Sequence, residues 1–299
     1  MSFLTIFTAP KPFTNPHINI IQRNAIRAWK SLPDVEVMLI GDEPGIPETA
    51  GELGVQNVQK VERDEKGIPT VCSVMEIGHK FSSSPMLCYA NADMILMSDL
   101  VLAAHQVSAQ VKDFLMVGQR WDLDLTEPFD FGSNWEARLR LRVEQSGKFY
   151  SPWGIDYFIF PHHLYTEVPD FTIGRPAWDN WMVYHARTTW GLALDATRSV
   201  MVVHQNHDYS HLPGNKPPYG SEVAKSNLAK AGGRRHVYNI LDTNRELIRG
   251  RIRRPKFYLP RLVRRFEWVF ITDKLGSLRA QAGFRLQKLQ RSLGNIPRR

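Results

Sequence analysis

A carboxylate directly after a buried strand is the first feature of this sequence that could do chemistry. The segment 86–90, MLCYA, is typical of a buried strand, and it ends in Asn91-Ala92-Asp93 before the chain turns apolar again. A carboxylate in an apolar setting costs free energy unless something pairs with it. In open α/β sheets, ligands bind outside the carboxyl ends of the strands. Asp93 is therefore predicted to lie at the mouth of a sheet, where a cation or a ligand donor satisfies it.

Imidazoles crowd the end of the last predicted strand. The run SVMVV (199–203) continues into HQNHDYSH. A zinc site built from His204, His207, Asp208 and His211 is one interpretation, although these are not the helical histidine spacings of zinc hydrolases. We favour His204 as the functional imidazole and interpret His207 and His211 as loop contacts.

The elements that must position these residues alternate along the chain. Thr8 ends the first predicted strand and Asp42 ends the second. Strand, helix, strand, helix, strand in this order predicts an α/β fold with a parallel sheet and helical crossovers. The predicted strands are 3–10, 35–43 and 86–90, and the predicted helices begin at Pro16, with Asn15 as cap, and cover 69–81.

The second half of the chain carries further strand and helix signals. Ser133 to Glu136 has the spacing of a capping box, which predicts the start of a helix that ends near Gly147. An acidic residue, Asp156, lies in a predicted central strand, and another, Asp179, lies near the start of a predicted helix. The remaining predicted elements are a strand that runs into an acidic, aromatic loop over 114–125, a strand over 154–160, a helix over 176–187 and a strand over 199–203.

Composition is that of a folded globular protein. The 299 residues are 43% hydrophobic and 23% charged, which favours a packed core over disorder. No apolar run approaches the roughly 20 residues of a membrane span, and no basic region precedes the first strand, so we expect no signal peptide and a cytoplasmic protein. Cys72 and Cys88 lie in apolar patterns and are predicted to be reduced, buried thiols.

Charge divides the chain in two. Residues 245–299 contain 16 Lys and Arg against three acidic residues, a net charge of +13, whereas the remainder contains 22 against 27, a net charge of −5. We predict a main domain over 1–249 and a basic, amphipathic C-terminal extension over 250–299. Arginines interleaved with aromatic and aliphatic residues resemble an interfacial segment that seeks anionic lipid. A helical face packed on its own domain is the alternative, and no nucleic-acid partner is expected because the body has no such motif.

The order of six segments resembles the GT-A glycosyltransferases, which transfer sugars from nucleotide donors. The resemblance covers residues 3–211 and implies a Rossmann-type, mostly parallel sheet flanked by helices. It also implies a nucleotide-sugar donor and a divalent metal, Mn²⁺ or Mg²⁺, bound by Asp93 and His204. Asn91 stands where the family commonly has an aspartate. The segments are TIFTAP, LIGDE, YANADMIL, WGIDYFIF, AWDNW and VVHQNHDYSH.

The resemblance also assigns roles to other residues. Asp179 matches the general base of inverting members, although an aspartate at a helix start also favours the helix dipole. Asp42 and Arg63 would contact the nucleobase or phosphates, and each has a solvated surface role as its alternative. Backbone groups of Thr8 and Ala9 would face the nucleoside. Asn91 is either a turn residue or a contact to the sugar or the metal site, and Asp156 is either buried and paired or placed to hold sugar hydroxyls.

The expected activity is metal-dependent sugar transfer to a carbohydrate or lipid-linked acceptor, with inversion, on the inner face of a membrane. A divalent ion would stabilise the charge on the diphosphate leaving group, and a carboxylate would take the proton of the acceptor hydroxyl. One alternative is a nucleotidyltransferase that makes nucleotide sugars, but TAPKPFTNP after the first strand has no glycine. A non-catalytic sugar- or lipid-binding protein is the other, and Asn91 favours it.

Overall fold

The computed structural model describes residues 1–207, 221–274 and 276–297, and within them a mixed α/β architecture. The helices are α1 Pro16–Lys30, α2 Ile46–Leu53, α3 Val71–Phe81, α4 Ser98–Ser108, α5 Trp135–Ser146, α6 Trp178–His185, α7 Glu222–Lys230, α8 Leu259–Phe270 and α9 Leu278–Gly294. The strands are β1 Leu4–Thr8, β2 Val35–Ile40, β3 Gln56–Val58, β4 Met86–Ala90, β5 Met94–Ile95, β6 Leu115–Val117, β7 Trp121–Leu123, β8 Lys148–Phe149, β9 Tyr157–Pro161, β10 Ala193–Asp195, β11 Val203–Gln205, β12 Arg245–Ile248 and β13 Arg251–Arg253.

The central sheet has the order β13-β12-β10-β6-β9-β4-β1-β2-β3. Its pairs are parallel except where β9 runs between β4 and β6 and where β13 pairs with β12. This confirms the predicted α/β class with a mostly parallel sheet flanked by helices. A second sheet, β5-β11-β7-β8, adjoins the carboxyl end of β4.

Alternate residues of the central strands pack into two separate hydrophobic clusters. In β1, Leu4 and Ile6 belong to one cluster and Phe7 belongs to the other. In β4, Cys88 and Tyr89 divide in the same way. A strand covered by helices on both faces is apolar throughout, which is why β1 and β4 are clear in the sequence.

Three predicted elements differ from the observed ones. The stretch 114–125 is two strands, β6 and β7, in different sheets. The last strand is Val203–Gln205 rather than 199–203, because Ser199 and Val200 donate to the carbonyl of Ala196 in a turn. The predicted capping box was wrong, since α5 follows a left-handed Asn134 and Glu136 accepts hydrogen bonds from Ser98 instead.

The basic C-terminal part of the chain packs against the main sheet. The predicted division at 249/250 falls in the turn between β12 and β13, so residues 251–253 belong to the central sheet. Helix α8 buries Arg261 and Arg264, and the end of α9 reaches back to Gln119, whose amide donates to the Gly294 carbonyl. None of the described helices is long and apolar enough to cross a bilayer.

The two cysteines form no disulfide with each other. Cys88 is buried in β4, as predicted, but Cys72 in α3 is only half-buried. Burial raises the pKa of the Cys72 thiol to about 11, so it stays a thiol at neutral pH.

Candidate metal and catalytic site

Three side chains converge beside the carboxyl end of β4. Ligand atoms of Asp93, His204 and His207 all lie within 4.8 Å of one another. Asp93 Oδ2 is 3.1 Å from His207 Nε2 and 3.7 Å from His204 Nε2. One carboxylate and two imidazoles whose ligand atoms lie this close together can bind a divalent cation.

The second sheet brings these residues together from distant parts of the chain. Strand β11 lies between β5 and β7, and its register sets His204 opposite Met94 on one side and Asp122 on the other. The Gln205 backbone N–H donates to the Asp93 carbonyl at 3.1 Å. His207 follows two residues after β11. Asp93 is thus fixed by the strand that carries the imidazoles.

Asp122 orients the ring of His204. Its Oδ1 lies 3.2 Å from His204 Nδ1, an ion-pair distance without hydrogen-bond geometry among the described residues, while Nε2 on the other side of the ring lies 3.7 Å from Asp93 Oδ2. Arg120 Nε donates to the same carboxylate oxygen at 2.9 Å. A carboxylate behind a histidine is the usual outer partner of a metal-binding imidazole, because it fixes the tautomer and raises the basicity of the ligand nitrogen.

Asp93 is held ionised although it is buried. Burial raises the pKa of its carboxyl, but the charges of His204 and His207, the His207 hydrogen bond and the charge of Lys11 outweigh it and lower the pKa well below its usual range. Its Oδ1 is buried and has no hydrogen-bond partner within the described ranges. An ionised, buried carboxylate oxygen without a partner is costly, so it suits a cation.

Asn91 faces away from the metal-type cluster. Its side-chain amide donates to Asp156 Oδ1 at 2.9 Å, and Arg120 Nη1 donates to Asp156 Oδ2 at 2.5 Å. The Asn91 backbone N–H also donates to the Asp156 carbonyl. Asp156, predicted to contact the donor sugar, is therefore anchored on both oxygens. With asparagine at position 91, the cluster contains one carboxylate and two imidazoles.

Asp179 lies at the first turn of α6. The preceding Ala177 has a positive φ of 91°, so the chain enters the helix through a strained residue. Burial, together with the charge of Asp156, raises the pKa of Asp179 to about 7, against the opposing backbone hydrogen bonds of the helix start. Its Oδ1 is buried and has no hydrogen-bond partner in the described part of the chain.

The Tyr89 hydroxyl is influenced by the charges of both Asp179 and Asp93. Burial raises the pKa of its hydroxyl, and the charges of Asp93, Asp156 and Asp179 raise it further. The Tyr89 ring packs edge-on against Trp178 with centroids 5.2 Å apart. The Tyr89 hydroxyl at the carboxyl end of β4 therefore lies within the electrostatic influence of all three carboxylates.

The predicted nucleoside contacts lie at the ends of β1 and β2. Thr8 ends β1, fully buried, and Ala9 packs on the neighbouring hydrophobic cluster. Arg63 forms ion pairs with Asp42 and Glu43, each at 2.6 Å. The structure brings Asp42 and Arg63 together.

The position of His207 differs from the one expected from the sequence. It was interpreted as a loop contact, yet it approaches Asp93 more closely than His204 does. The spacing of two histidines three residues apart after a strand was the available signal. Asp208 and His211, the other members of the alternative zinc set, lie outside the described residues.

Comparisons with known proteins give only structural similarities. No protein-family model matches the chain, and no curated protein matches it. A structure of glucosyl-3-phosphoglycerate synthase from Mycobacterium tuberculosis with Mn²⁺, UDP and phosphoglyceric acid has a TM-score of 0.48 and 13% identity, over 78% of this chain and 79% of that one. The complex of that protein with Mn²⁺, UDP and glucosyl-3-phosphoglycerate has a TM-score of 0.48 and 13% identity, over 86% and 88%. At TM-scores below 0.5 these similarities carry no argument about activity, so function must be inferred from the site.

Proposed function

We propose that this protein is a metal-dependent glycosyltransferase that uses a nucleotide-sugar donor. The observation that carries the proposal is the Asp93, His204 and His207 cluster, in which Asp93 Oδ1 has no hydrogen-bond partner among the described residues, together with a second buried open carboxylate oxygen on Asp179. Asp93, with a lowered pKa, belongs to a cation-type cluster, whereas Asp179 has a pKa near neutrality. Two titratable groups whose environments push their pKa values apart divide the tasks of charge stabilisation and proton transfer.

In this proposal Asp93, His204 and His207 hold the metal, with Asp122 fixing the His204 ring. The donor set fits a cation, since Asp93 Oδ1 lacks a protein partner within the described residues. Two imidazoles favour Mn²⁺ over Mg²⁺, because Mg²⁺ prefers oxygen ligands. When bound, the ion supplies Lewis-acid stabilisation of the charge that develops on the leaving diphosphate.

Asp179 acts as the general base. A base works best when its pKa lies near the operating pH, and burial beside Asp156 raises the pKa of Asp179 to about 7. Its partnerless Oδ1 is available to accept a proton from an acceptor hydroxyl. A base opposite the leaving group gives inversion at the anomeric carbon.

The donor occupies the carboxyl ends of β1, β2 and β4. Thr8 and Ala9 offer backbone groups to the nucleoside. The Arg63–Asp42 pair contacts the base or phosphates, with Arg63 already oriented by two carboxylates. Asp156 and Asn91 face the sugar, because Arg120 and the Asn91 amide hold the Asp156 carboxylate in one position.

The acceptor is a carbohydrate or a lipid-linked saccharide. A lipid-linked acceptor would place the protein on the inner face of a membrane, through the basic surface of the C-terminal helices. Phe257, Phe266 and Val269 are more than half exposed there, which supports contact with an apolar phase.

The test is release of nucleoside diphosphate from UDP- and GDP-sugars with Mn²⁺, Mg²⁺ or EDTA. We expect turnover of one donor that needs the metal and is lost in His207→Ala. Asp113→Asn is the matched control, since Asp113 precedes β6 at the amino ends of the parallel strands, the opposite end from Asp93, and pairs with His163. Turnover that survives EDTA would overturn the metal-dependent assignment.

Formation of a nucleotide sugar from a nucleoside triphosphate would favour the nucleotidyltransferase, and donor binding with no turnover would favour a binding protein.

A further inference from the structure

A second cavity lies between β12 and α8, away from the Asp93 cluster. It has a volume of about 530 Å³ and is lined by Arg187 just after α6, by residues of the segments 238–245 and 254–257, and by one face of α8. No member of the Asp93, His204 and His207 cluster lines it. It is therefore a separate candidate site.

The lining of this cavity is strongly cationic. Five of its basic side chains have no carboxylate partner in the described ranges 1–207, 221–274 and 276–297. These are Arg187, Arg245, Arg254, Lys256 and Arg265. Unpaired like charges around one concave space repel one another and create a positive potential that an anion relieves.

The two buried arginines of the lining behave differently. Arg264 is neutralised by Asp242 at 2.7 Å and Glu267 at 2.8 Å, and Arg261 lies 3.4 Å from Glu246. These pairs hold α8 against the sheet. Because their carboxylates already pair with Arg261 and Arg264, they do not neutralise the five exposed or half-buried cations named above. Arg261 is nevertheless incompletely satisfied, because it is 93% buried and its Nε has no hydrogen-bond partner among the described residues.

Aromatic rings shape the walls around the cations. The Arg265 guanidinium lies 5.2 Å from the centre of the Phe257 ring, and that of Arg187 lies 5.6 Å from the Tyr238 ring. Arg187 Nη1 already donates to the Asp242 carbonyl, whereas the Arg265 guanidinium makes no hydrogen bond to a described residue, so donors remain for a second partner. Arginine forks match phosphate oxygens in a bidentate manner, so several of them around one space favour phosphate over a simple monovalent anion.

We propose that this cavity binds a phosphate-bearing anion, as a ligand site beyond the proposed donor site. The phosphoryl group can belong to a soluble diphosphate or to a phosphomonoester lipid headgroup. The exposed apolar side chains of Phe257, Leu259 and Phe266 at the same end of α8 would suit the lipid. Binding needs no divalent metal, which separates it from the donor site.

The test uses the full-length protein in EDTA with two probes. Inorganic pyrophosphate is titrated by calorimetry, and phosphatidylcholine vesicles with and without phosphatidic acid are tested by flotation. The variant Arg254→Gln/Arg265→Gln removes two exposed cations of the cavity. The control Arg251→Gln/Arg253→Gln removes two exposed cations of β13 that do not line it.

We expect the wild type and the control to bind one probe equally. The cavity variant should bind about tenfold more weakly, the loss expected from one charge-assisted hydrogen bond. Pyrophosphate binding would identify a soluble ligand, and flotation that needs phosphatidic acid would identify a lipid. Binding of neither probe by the wild type, or equal weakening in both variants, would overturn the proposal. Because the assays contain EDTA, failure here leaves the metal-dependent donor site untouched.

Discussion

Two groups of buried charge in this protein differ in whether their hydrogen bonding is complete: the Arg264 cluster, formed by Arg264, Asp242, Glu267 and Gln290, and the carboxylates after β4. In the Arg264 cluster, Arg264 donates to Asp242 and Glu267, and Gln290 donates to Glu267 at 2.6 Å. In the cluster after β4, buried oxygens of Asp93 and Asp179 have no hydrogen-bond partner within the described residues.

The difference separates a structural role from a chemical one. A buried ion pair that is fully hydrogen bonded holds helices together, and breaking it is costly because a charge is left uncompensated. A buried carboxylate with an open acceptor is poorly stabilised by the protein alone, and it is retained where a cation or a substrate completes it. The arginine-rich C-terminal part of the chain is therefore, in part, scaffold.

The largest expected effect is on turnover. Asp179→Asn should lower donor turnover by about 10²–10⁴-fold, the usual contribution of a general base, while the affinity for the donor changes little. The measurement is steady-state kinetics together with calorimetric donor binding. Asp113→Asn is the control and should keep wild-type turnover. Near-normal turnover in Asp179→Asn would contradict the assignment of Asp179 as the general base.

Substitutions in the Arg264 cluster should lower the stability of the protein rather than its turnover. Arg264→Met leaves Asp242 and Glu267 as buried charges without their cation, so we expect a loss of about 3–5 kcal/mol in the free energy of unfolding. Denaturant unfolding measures this loss. The neighbouring Arg265→Met removes an exposed arginine and should change stability by less than about 0.5 kcal/mol. Equal effects of the two substitutions would mean that the buried pairs contribute nothing special.

A smaller effect is expected on metal affinity when Asp122, which contacts the proposed metal ligand His204, is changed. Asp122→Asn removes the charge that fixes the His204 ring, so the affinity for Mn²⁺ should fall by about 10–100-fold. Titration of free Mn²⁺ by electron paramagnetic resonance measures this affinity. Asp124→Asn changes an exposed aspartate two residues further on, and its affinity should match the wild type. If both variants bind Mn²⁺ equally well, Asp122 does not position the ring.

The smallest expected effect concerns pH. The pKa of Asp179 is raised to about 7 in the folded state, above its ordinary value near 4, so the folded protein holds a proton that the unfolded chain releases between these values. Its contribution to stability is complete below about pH 4 and is lost as pH rises through about 7. Asp179→Asn lacks this loss of about 3 kcal/mol, so its Tm in EDTA should gain on the wild type by about 4 °C between pH 5 and pH 8. A constant difference in Tm across this range would show that the raised pKa is absent.

The parts of the site that follow from strand ends were predictable, and those that follow from loops were not. Burial on both faces makes β4 apolar throughout, so the sequence locates Asp93 at its end. His207 lies beyond a strand, where no periodicity says which way a side chain points. Asp122 lies in an acidic, aromatic stretch of the sequence, but its pairing with His204 depends on a second sheet whose strands have two or three residues each. Strands that short leave no pattern to detect.

The most direct measurement is a thermal-shift panel of nucleoside diphosphates and nucleotide sugars, each with Mn²⁺, Mg²⁺ or EDTA. The proposed site predicts that a UDP or GDP species raises the Tm of the wild type only with a divalent metal, and that Asp93→Asn abolishes the shift. No metal-dependent shift with any nucleotide would contradict the assignment of Asp93, His204 and His207 as a donor site.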